Sequence, residues 1–407
     1  MHLLNPSLLE NNGNKYNLIR CETNVKKWSK SEFSYILREL DANLGTKNEY
    51  SMKFKIHNNI FQIIKRDNVK EDFYLFEDIK IIRSLQNGNI GVCNIMINAS
   101  PRVFRVGLVR VNIQDKMIEL IKILTVENMK SDEKNWTFLG NSYIIYTLFP
   151  ELIIYKIDQN FNLELFKKIN TFEQIKNTDI ITGHSKYYRN MYLTNCESCL
   201  KLNDSFYLLH VKKRENEKNY KYYHSILSIK DWKLSFINKK FDEGKKYLNQ
   251  VTTFNNKIYY SWGLDDSCIL IERKRIKINL IYFSGWDNFG DELSKFITVN
   301  LINQEKYELV YNQKNIPLNL VCIGSYIHKA GDNSFIFGSG VRTLENIENG
   351  HKYRDLLVSS VRGPLTRDFL LERNISTPSV YGDPALLLSK FYNPIMISDL
   401  KNRIGVI

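Results

Sequence analysis

Among the residues of this 407-residue chain whose types and spacing suit chemistry, Arg362 stands first. It closes an apolar run, DLLVSSVR, and precedes Gly363-Pro364 and the helix-like start Leu365-Thr366-Arg367-Asp368. A guanidinium at a strand end can grip a carboxylate or phosphate through two parallel hydrogen bonds, which an ammonium does less well. The plainer alternative is a strand-end arginine paired with a nearby carboxylate. Asp383, in Gly382-Asp383-Pro384, can orient a hydroxyl or accept its proton, or simply shape a tight turn. Gly285-Trp286-Asp287-Asn288-Phe289-Gly290-Asp291 combines two glycines with a helix start, where backbone N–H groups can meet an anion. The alternative there is capping by Asn288, with Asp291 favourably placed in the first turn. Gly340 and Gly382 permit close backbone approach, and Thr366 offers a hydroxyl or a cap. Arg362 and Asp383 are thus the candidate catalytic pair. Gly285, Asn288, Gly290, Asp291, Gly340, Thr366 and Gly382 are candidate binding positions.

A second group of carboxylates lies earlier, at Asp78, Glu133, Asp265 and Asp266. Two carboxylates flanking a pocket are what glycosidic-bond cleavage requires. Acidic residues at strand ends also cap turns, so each alone is weak.

These residues need elements to hold them, and the chain changes period to supply two kinds. Up to about residue 275, polar turns are followed by alternating apolar runs: NNGNKYNLIR, QNGNIGVCNIMI, GNSYIIYTLF, NDSFYLLHV and NNKIYYSWGL. Alternation bounded by Asn, Asp and Gly is the pattern of half-buried antiparallel strands. Five such units at roughly 50-residue spacing predict a five-bladed β-propeller, with a sandwich or a series of hairpins as the alternative. From Ile276 onward, continuous apolar strands (INLIYF, LNLVCIGS, SFIFGSG) end in small residues, and NFGDELSKFITVNLI carries apolar residues at helical spacing. Strand, glycine loop, helix, strand predicts a Rossmann-like α/β domain over 276–407, after a propeller over 1–275. The junction Arg273–Lys277 is short, basic and free of Gly and Pro, which predicts closely docked domains.

Three segments, NLIYFSGWDNFGDELSKF, GSYIHKAGDNSFIFGSGV and SVRGPLTRDFLLERN with the following YGDPALLLSKFY, resemble the polysaccharide pyruvyl transferase family. That resemblance implies transfer of pyruvate from phosphoenolpyruvate onto a glycan or glycolipid as a cyclic ketal. It also implies donor contact by Arg362 and no nucleotide, metal or further cofactor. The family's histidine acid comes from a second Rossmann-like half of a glycosyltransferase-B-like fold. Here only His328 and His351 follow the propeller, and the run RIGVI resembles the opening strand of that half. The expectation is a truncated product, or a separate chain supplying the remainder. Residues 1–275, through EDIKIIR, EKNWTFLGNSYIIYTLFP and YYSWGLDDSCILIE, resemble propellers of glycoside hydrolases and mannoside phosphorylases. In the latter a Glu-Asp-Pro-Arg stretch opens a blade at the sugar site; here it reads Glu77-Asp78-Ile79-Lys80. A hydrolase, phosphorylase or glycosyl-transfer activity in the propeller, or a purely carbohydrate-binding one, is therefore the alternative.

The remaining composition mostly excludes. A net charge of +13 arises from scattered lysines with no basic run and no nucleic-acid motif, so no nucleic-acid partner is expected. Of six cysteines only Cys196 and Cys199 form a CxxC, without a second pair, which predicts free thiols and no metal. The start MHLLNPSLLENN has neither the basic region nor the apolar core of a signal peptide, and no apolar run is long enough to span a bilayer. The expected location is cytoplasmic.

Overall fold

The computed structural model describes residues 2–22, 33–56, 76–85, 88–99, 102–127, 129, 133–140, 142–171, 193–214, 219–264, 268–285, 288–314, 316, 318–331, 334–342 and 356–393. The chain divides into two compact units, Met1–Lys274 and Arg275–Ile407.

The first unit is all β. Its first sheet is an antiparallel meander of β1 (His2–Asn11), β2 (Asn14–Glu22), β3 (Phe33–Leu40) and β4 (Thr46–Ser51). The second contains β5 (Lys53–Ile56), β6 (Phe76–Leu85), β7 (Gly88–Ala99), β8 (Arg102–Asn112) and β9 (Met117–Ile123), in the order β5-β9-β8-β7-β6. The third holds β10 (Thr137–Leu139), β11 (Tyr143–Thr147), β12 (Glu151–Ile157) and β13 (Leu163–Asn170) in chain order. The fourth holds β14 (Leu193–Lys201), β15 (Phe206–Arg214), β16 (Tyr220–Ser228) and β17 (Lys233–Gly244). The fifth has three strands, β18 (Lys246–Phe254), β19 (Lys257–Leu264) and β20 (Cys268–Lys274).

Apolar packing joins these sheets in a ring. Leu18, Leu37, Cys93 and Val109 share a core between the first and second sheets, and Val92, Leu108, Trp136 and Tyr146 one between the second and third. Ile145, Ile154, Leu209 and Leu227 join the third to the fourth. Tyr222 packs edge-on against Trp262 from fourth to fifth, and Leu8, Leu40, Phe254 and Tyr259 bring the fifth back to the first. Five small sheets packed in a closed ring make a five-bladed β-propeller.

The five polar turns read from the sequence fall at one equivalent place, the turn between the first two antiparallel strands of each blade. Two of them, Asn12-Gly13 and Asn255-Asn256, have φ of +49°, +78°, +45° and +60°, as a type I′ hairpin demands. Polar hydrogen bonds also fasten the first strands to one another. Asn249 Nδ2 donates to Pro6 O (2.7 Å) and to Ser7 Oγ (3.1 Å), Ser7 Oγ donates to Ile79 O, and Gln250 Nε2 donates to Ile81 O (3.1 Å). β18, β1 and β6 are therefore the inner strands of their blades.

The second unit contains β21 (Ile276–Ile281), α1 (Phe289–Leu301), β22 (Tyr307–Tyr311), β23 (Leu318–Val321), β24 (Ser334–Phe337), β25 (Leu357–Ser360), α2 (Pro364–Leu371) and α3 (Leu388–Phe391). Its five strands pair in parallel in the order β22-β21-β23-β24-β25. The order reverses beside β21, which leaves a crevice beyond the strands' carboxyl ends, where α/β sheets bind ligands. Leu280, Tyr282, Ile297 and Cys322 form the core on the α1 side, and Val321, Ile336, Phe369 and Leu370 the core on the α2 side.

Candidate functional site

In the propeller, Glu77 and Asp78 lie on the inner strand β6, both buried. The pairing of β6 with β7 breaks register between Glu77 and Lys80, and Asp78 takes a left-handed φ of +56°. A bulge of this kind re-aims side chains, and a non-glycine residue held there stores strain. Arg20 of β2 lies 3.6 Å from Asp78 Oδ1 and 3.9 Å from Glu77 Oε1, and Lys134 Nζ lies 2.8 Å from Glu77 Oε2. The Lys134 ammonium also sits 3.3 Å over the Phe104 ring. The neighbouring Glu133 is buried, accepting from Tyr146 OH at 2.7 Å and from Trp136 Nε1 at 3.3 Å. The Glu77–Lys134 pair thus links Asp78 to Glu133. Asp265 and Asp266 lie outside the described residues.

In the second unit, the loops after β23, β24 and β25 fasten to one another through the backbone. Gly340 N donates to Gly324 O (2.8 Å), Arg362 N to Ser339 O (3.1 Å) and Gly382 N to Val361 O (3.1 Å). Ser339 Oγ donates to Gly324 O and accepts from Tyr326 N. A methyl group on Gly338, at φ +76°, would lie 2.3 Å from Pro384 Cδ and 2.5 Å from Gly382 O, so only glycine fits. At Gly340 it would stand 3.1 Å from Arg362 Cδ, so the absent side chain leaves room for the arginine.

Arg362 leaves this framework with half its side chain exposed (51%). Its Nη1 donates to Ser325 Oγ at 3.0 Å, and its Nε lies 3.4 Å from Asp383 Oδ2. Asp383 also accepts from Ala385 N through Oδ1 (3.0 Å), capping the 3₁₀ turn Pro384–Leu387, and from Gly324 N through Oδ2 (3.5 Å). Thr366 Oγ1 accepts from Val341 N (3.3 Å), a structural bond. Asn288 Oδ1 caps α1 through Gly290 N (2.9 Å) and Asp291 N (3.4 Å). Gly290 is part of that cap, and a methyl group on Gly285 would meet the Phe283 ring at 2.7 Å. Asp291 faces Gly324, where a methyl group would lie 3.7 Å from its Oδ1. Burial pushes the Asp291 carboxyl above the usual carboxylate range, and the adjacent Glu292 adds to the effect.

Arg362, Asp383, Asp291, Gly340, Thr366 and Gly382 therefore meet at one sheet edge. Ser325 and Gly324 were not singled out by the sequence reading; their signal was the small residue after an apolar strand, shared with Gly338-Ser339-Gly340. His328 stacks edge-on against Tyr326 at 5.1 Å, and His351 lies outside the described residues. What the assembly offers chemically is an exposed guanidinium held in a fixed direction, which suits an oxyanion.

Of the CxxC, Cys199 is a free thiol whose Sγ lies 3.1 Å from Phe138 O, with burial pushing its pKa up to about 12; Cys196 falls among side chains not described. Among the described residues no group of three or more His, Cys, Asp or Glu could hold a metal ion, and no helix is long and apolar enough to cross a membrane.

No protein-family model matches the chain and no curated protein matches it, so the resemblance to pyruvyl transferases gains no support there. Solved structures do align with it. A putative glycoside hydrolase from Bacteroides ovatus is 12% identical over 66% of this chain and 85% of its own, with a TM-score of 0.44. A GH43 β-xylosidase/α-arabinofuranosidase from a compost metagenome, in complex with xylotriose, is 11% identical over 67% and 91%, with a TM-score of 0.43. A mannose phosphorylase from Leishmania mexicana, in complex with phosphate, is 9% identical over 66% and 82%, with a TM-score of 0.38. At these values the likeness adds nothing to what the blades themselves establish, and no activity passes from those proteins to this one.

Proposed function

We propose that this chain is carbohydrate-active, with the propeller as its sugar-handling part. The observation that carries the reading is Asp78, held by Arg20 in a left-handed conformation at a bulge of an inner strand, beside Glu77 and linked to Glu133. Backbone strain kept in place by an ion pair is a mark of functional positions. Each of the three carboxyls is engaged as an acceptor or an ion-pair partner, which suits hydrogen bonding to sugar hydroxyls. For glycosidic-bond cleavage, by water or by phosphate, one of them must become the proton donor. The test is a panel of aryl glycosides and β-linked oligosaccharides, with and without inorganic phosphate, on the intact chain and on Asp78→Asn and Glu133→Gln. Turnover or binding lost in these variants supports the reading, and absence of both from the intact chain overturns it.

A second reading is favoured by Arg362. A parallel sheet with an exposed guanidinium beyond the carboxyl ends of its strands suits an anionic donor. The finer form is pyruvyl transfer from phosphoenolpyruvate to a glycan or glycolipid. Arg362 would grip the donor, Asp383 would hold Arg362 in place, and a second α/β half, from further chain or a partner, would complete the cleft. The test is thermal stability with phosphoenolpyruvate, because a ligand of the folded state raises it by mass action. A rise absent in Arg362→Ala supports this reading, and no rise at millimolar donor removes it.

A further inference from the structure

A single exposed leucine or phenylalanine is ordinary on a protein surface, but a group of them in one place marks an interaction site. The three most exposed large apolar side chains among the described residues are Leu365 (85%), Leu386 (76%) and Phe289 (75%). All three belong to the second unit, and each sits in the opening turn of a helical segment at the carboxyl end of the parallel sheet. Phe289 is the first residue of α1, Leu365 the second of α2, and Leu386 the third of the 3₁₀ turn Pro384–Leu387.

The loop cluster holds these three starts together around Arg362. Asp383, which pairs with Arg362, also caps the 3₁₀ turn. That turn docks on α1 through Leu387, which shares a core with Leu293 and Ile297, while the adjacent Leu386 stays in solvent. Leu365 lies beside Thr366, whose Oγ1 borders Gly340 together with the Arg362 side chain. The same Oγ1 accepts from Val341 N, which sets the exposed Arg342 next to the start of α2. Neither α2 nor the 3₁₀ turn has an acidic residue in its first turn. Of the carboxylates nearby, Asp383 is paired with Arg362, Glu292 with Lys295, and Asp291 is partly buried against Gly324. The edge therefore presents apolar side chains interleaved with exposed guanidiniums.

We propose that this edge is a docking surface for an anionic lipid bilayer. Leu365, Leu386 and Phe289 enter the boundary between headgroups and acyl chains, and Arg362 and Arg342 take lipid phosphates between them. Apolar anchors beside cations are the combination by which a protein surface lies on an anionic membrane. A second copy of this chain fits less well, because a two-fold contact through this patch sets its guanidiniums against their own counterparts. The inference goes beyond both proposed activities and depends on neither.

The test is sedimentation of the full chain with vesicles of phosphatidylcholine alone and of phosphatidylcholine mixed with phosphatidylglycerol, at low and high salt. The expected result is binding to the mixed vesicles that weakens with salt, which screens the attraction. Leu365→Ser and Leu386→Ser should each lower it about tenfold, the loss of one buried leucine. Arg342→Ala should lower it about fivefold. Leu165→Ser, at an exposed leucine on β13 of the propeller, is the control that leaves binding unchanged. Melting temperatures should match that of the parent throughout, since every change lies on the surface. Vesicle binding that survives Leu365→Ser and Leu386→Ser combined would be adsorption by net charge, and overturns the proposal. Absence of binding to the mixed vesicles by the folded chain overturns it as well. A concentration-dependent dimer lost in the same double variant, without vesicle binding, makes the edge a contact between copies instead.

Discussion

The Arg362 guanidinium lies 3.4 Å from Asp383, and the two residues differ sharply in how much of the fold depends on them. Asp383 ties three segments together, capping a 3₁₀ turn, accepting the Gly324 amide and holding the arginine. Arg362 touches Ser325 and Asp383 and otherwise faces solvent. Asp383→Ala should therefore cost about 1–2 kcal/mol of stability, the range of a lost cap. Arg362→Ala should stay within about 0.5 kcal/mol of the parent, as exposed changes do. Urea unfolding of both variants measures this. Equal losses would mean that Arg362 is a structural ion-pair partner rather than a presented group.

Gly338 underlies the whole loop cluster. Its φ of +76° is costly for an L-residue, and an added methyl group would strike Pro384 and the Gly382 carbonyl, neither the tip of a flexible chain. Gly338→Ala should cost at least about 2 kcal/mol, from backbone conformation and overpacking together. Gly331→Ala, where nothing lies within 4 Å, is the matched control with little effect. Thermal melts of the pair decide it, and equal melting temperatures would refute the tight approach of these loops.

The outcome shows which information is local. The turns Asn12-Gly13 and Asn255-Asn256 are legible because a two-residue hairpin turn needs positive φ, and Asn and Gly supply it. The parallel sheet is legible because strands covered on both faces are continuously apolar. β5, the fifth strand of the second blade, is not: its four residues, Lys-Phe-Lys-Ile, gain their meaning only from parallel pairing with β9, more than sixty residues away. The candidate site divides the same way. Arg362 is marked by its place before Gly-Pro, but its partner Ser325 lies 37 residues earlier in an ordinary small-residue turn. That Asp383 accepts the Gly324 amide depends on a loop 59 residues earlier, which no local spacing around Gly382-Asp383-Pro384 announces.

Asn249 tests the seam between the fifth and first blades. It is buried on β18 and bonds Pro6 O and Ser7 Oγ of β1, while the adjacent Gln250 bonds Leu8 N and reaches Ile81 O on β6. Asn249→Leu would leave the Pro6 carbonyl buried without this donor, costing about 1–3 kcal/mol. Hydrogen exchange should show the loss concentrated in β1 and β18. A uniform loss across all blades would mean that the ring does not depend on this seam.

The fourth blade carries a pH dependence of definite sign. His224 of β16 is buried, directly opposite His210 of β15, and stacked on Phe241 at 4.0 Å. Neither of its ring nitrogens has a hydrogen-bond partner among the described residues. His210 bonds Tyr260 OH at 3.1 Å through Nε2. Burial pushes the His224 pKa well below its usual value, and His210 and Lys274 add repulsion to the protonated ring. The native state therefore resists a proton that the unfolded chain takes up near pH 6.5. By linkage, the contribution of His224 is fully present above pH 6.5 and is lost as pH falls from there towards its native pKa. Acid should loosen the fourth and fifth blades first, because His210, Tyr260 and Phe241 form one aromatic cluster with His224. His224→Phe keeps a ring on Phe241 and removes the titrating group, so its stability should fall less between pH 7 and pH 5 than that of the parent. Urea unfolding of parent and variant at both pH values makes the comparison, and identical losses would show that the parent's acid sensitivity arises elsewhere.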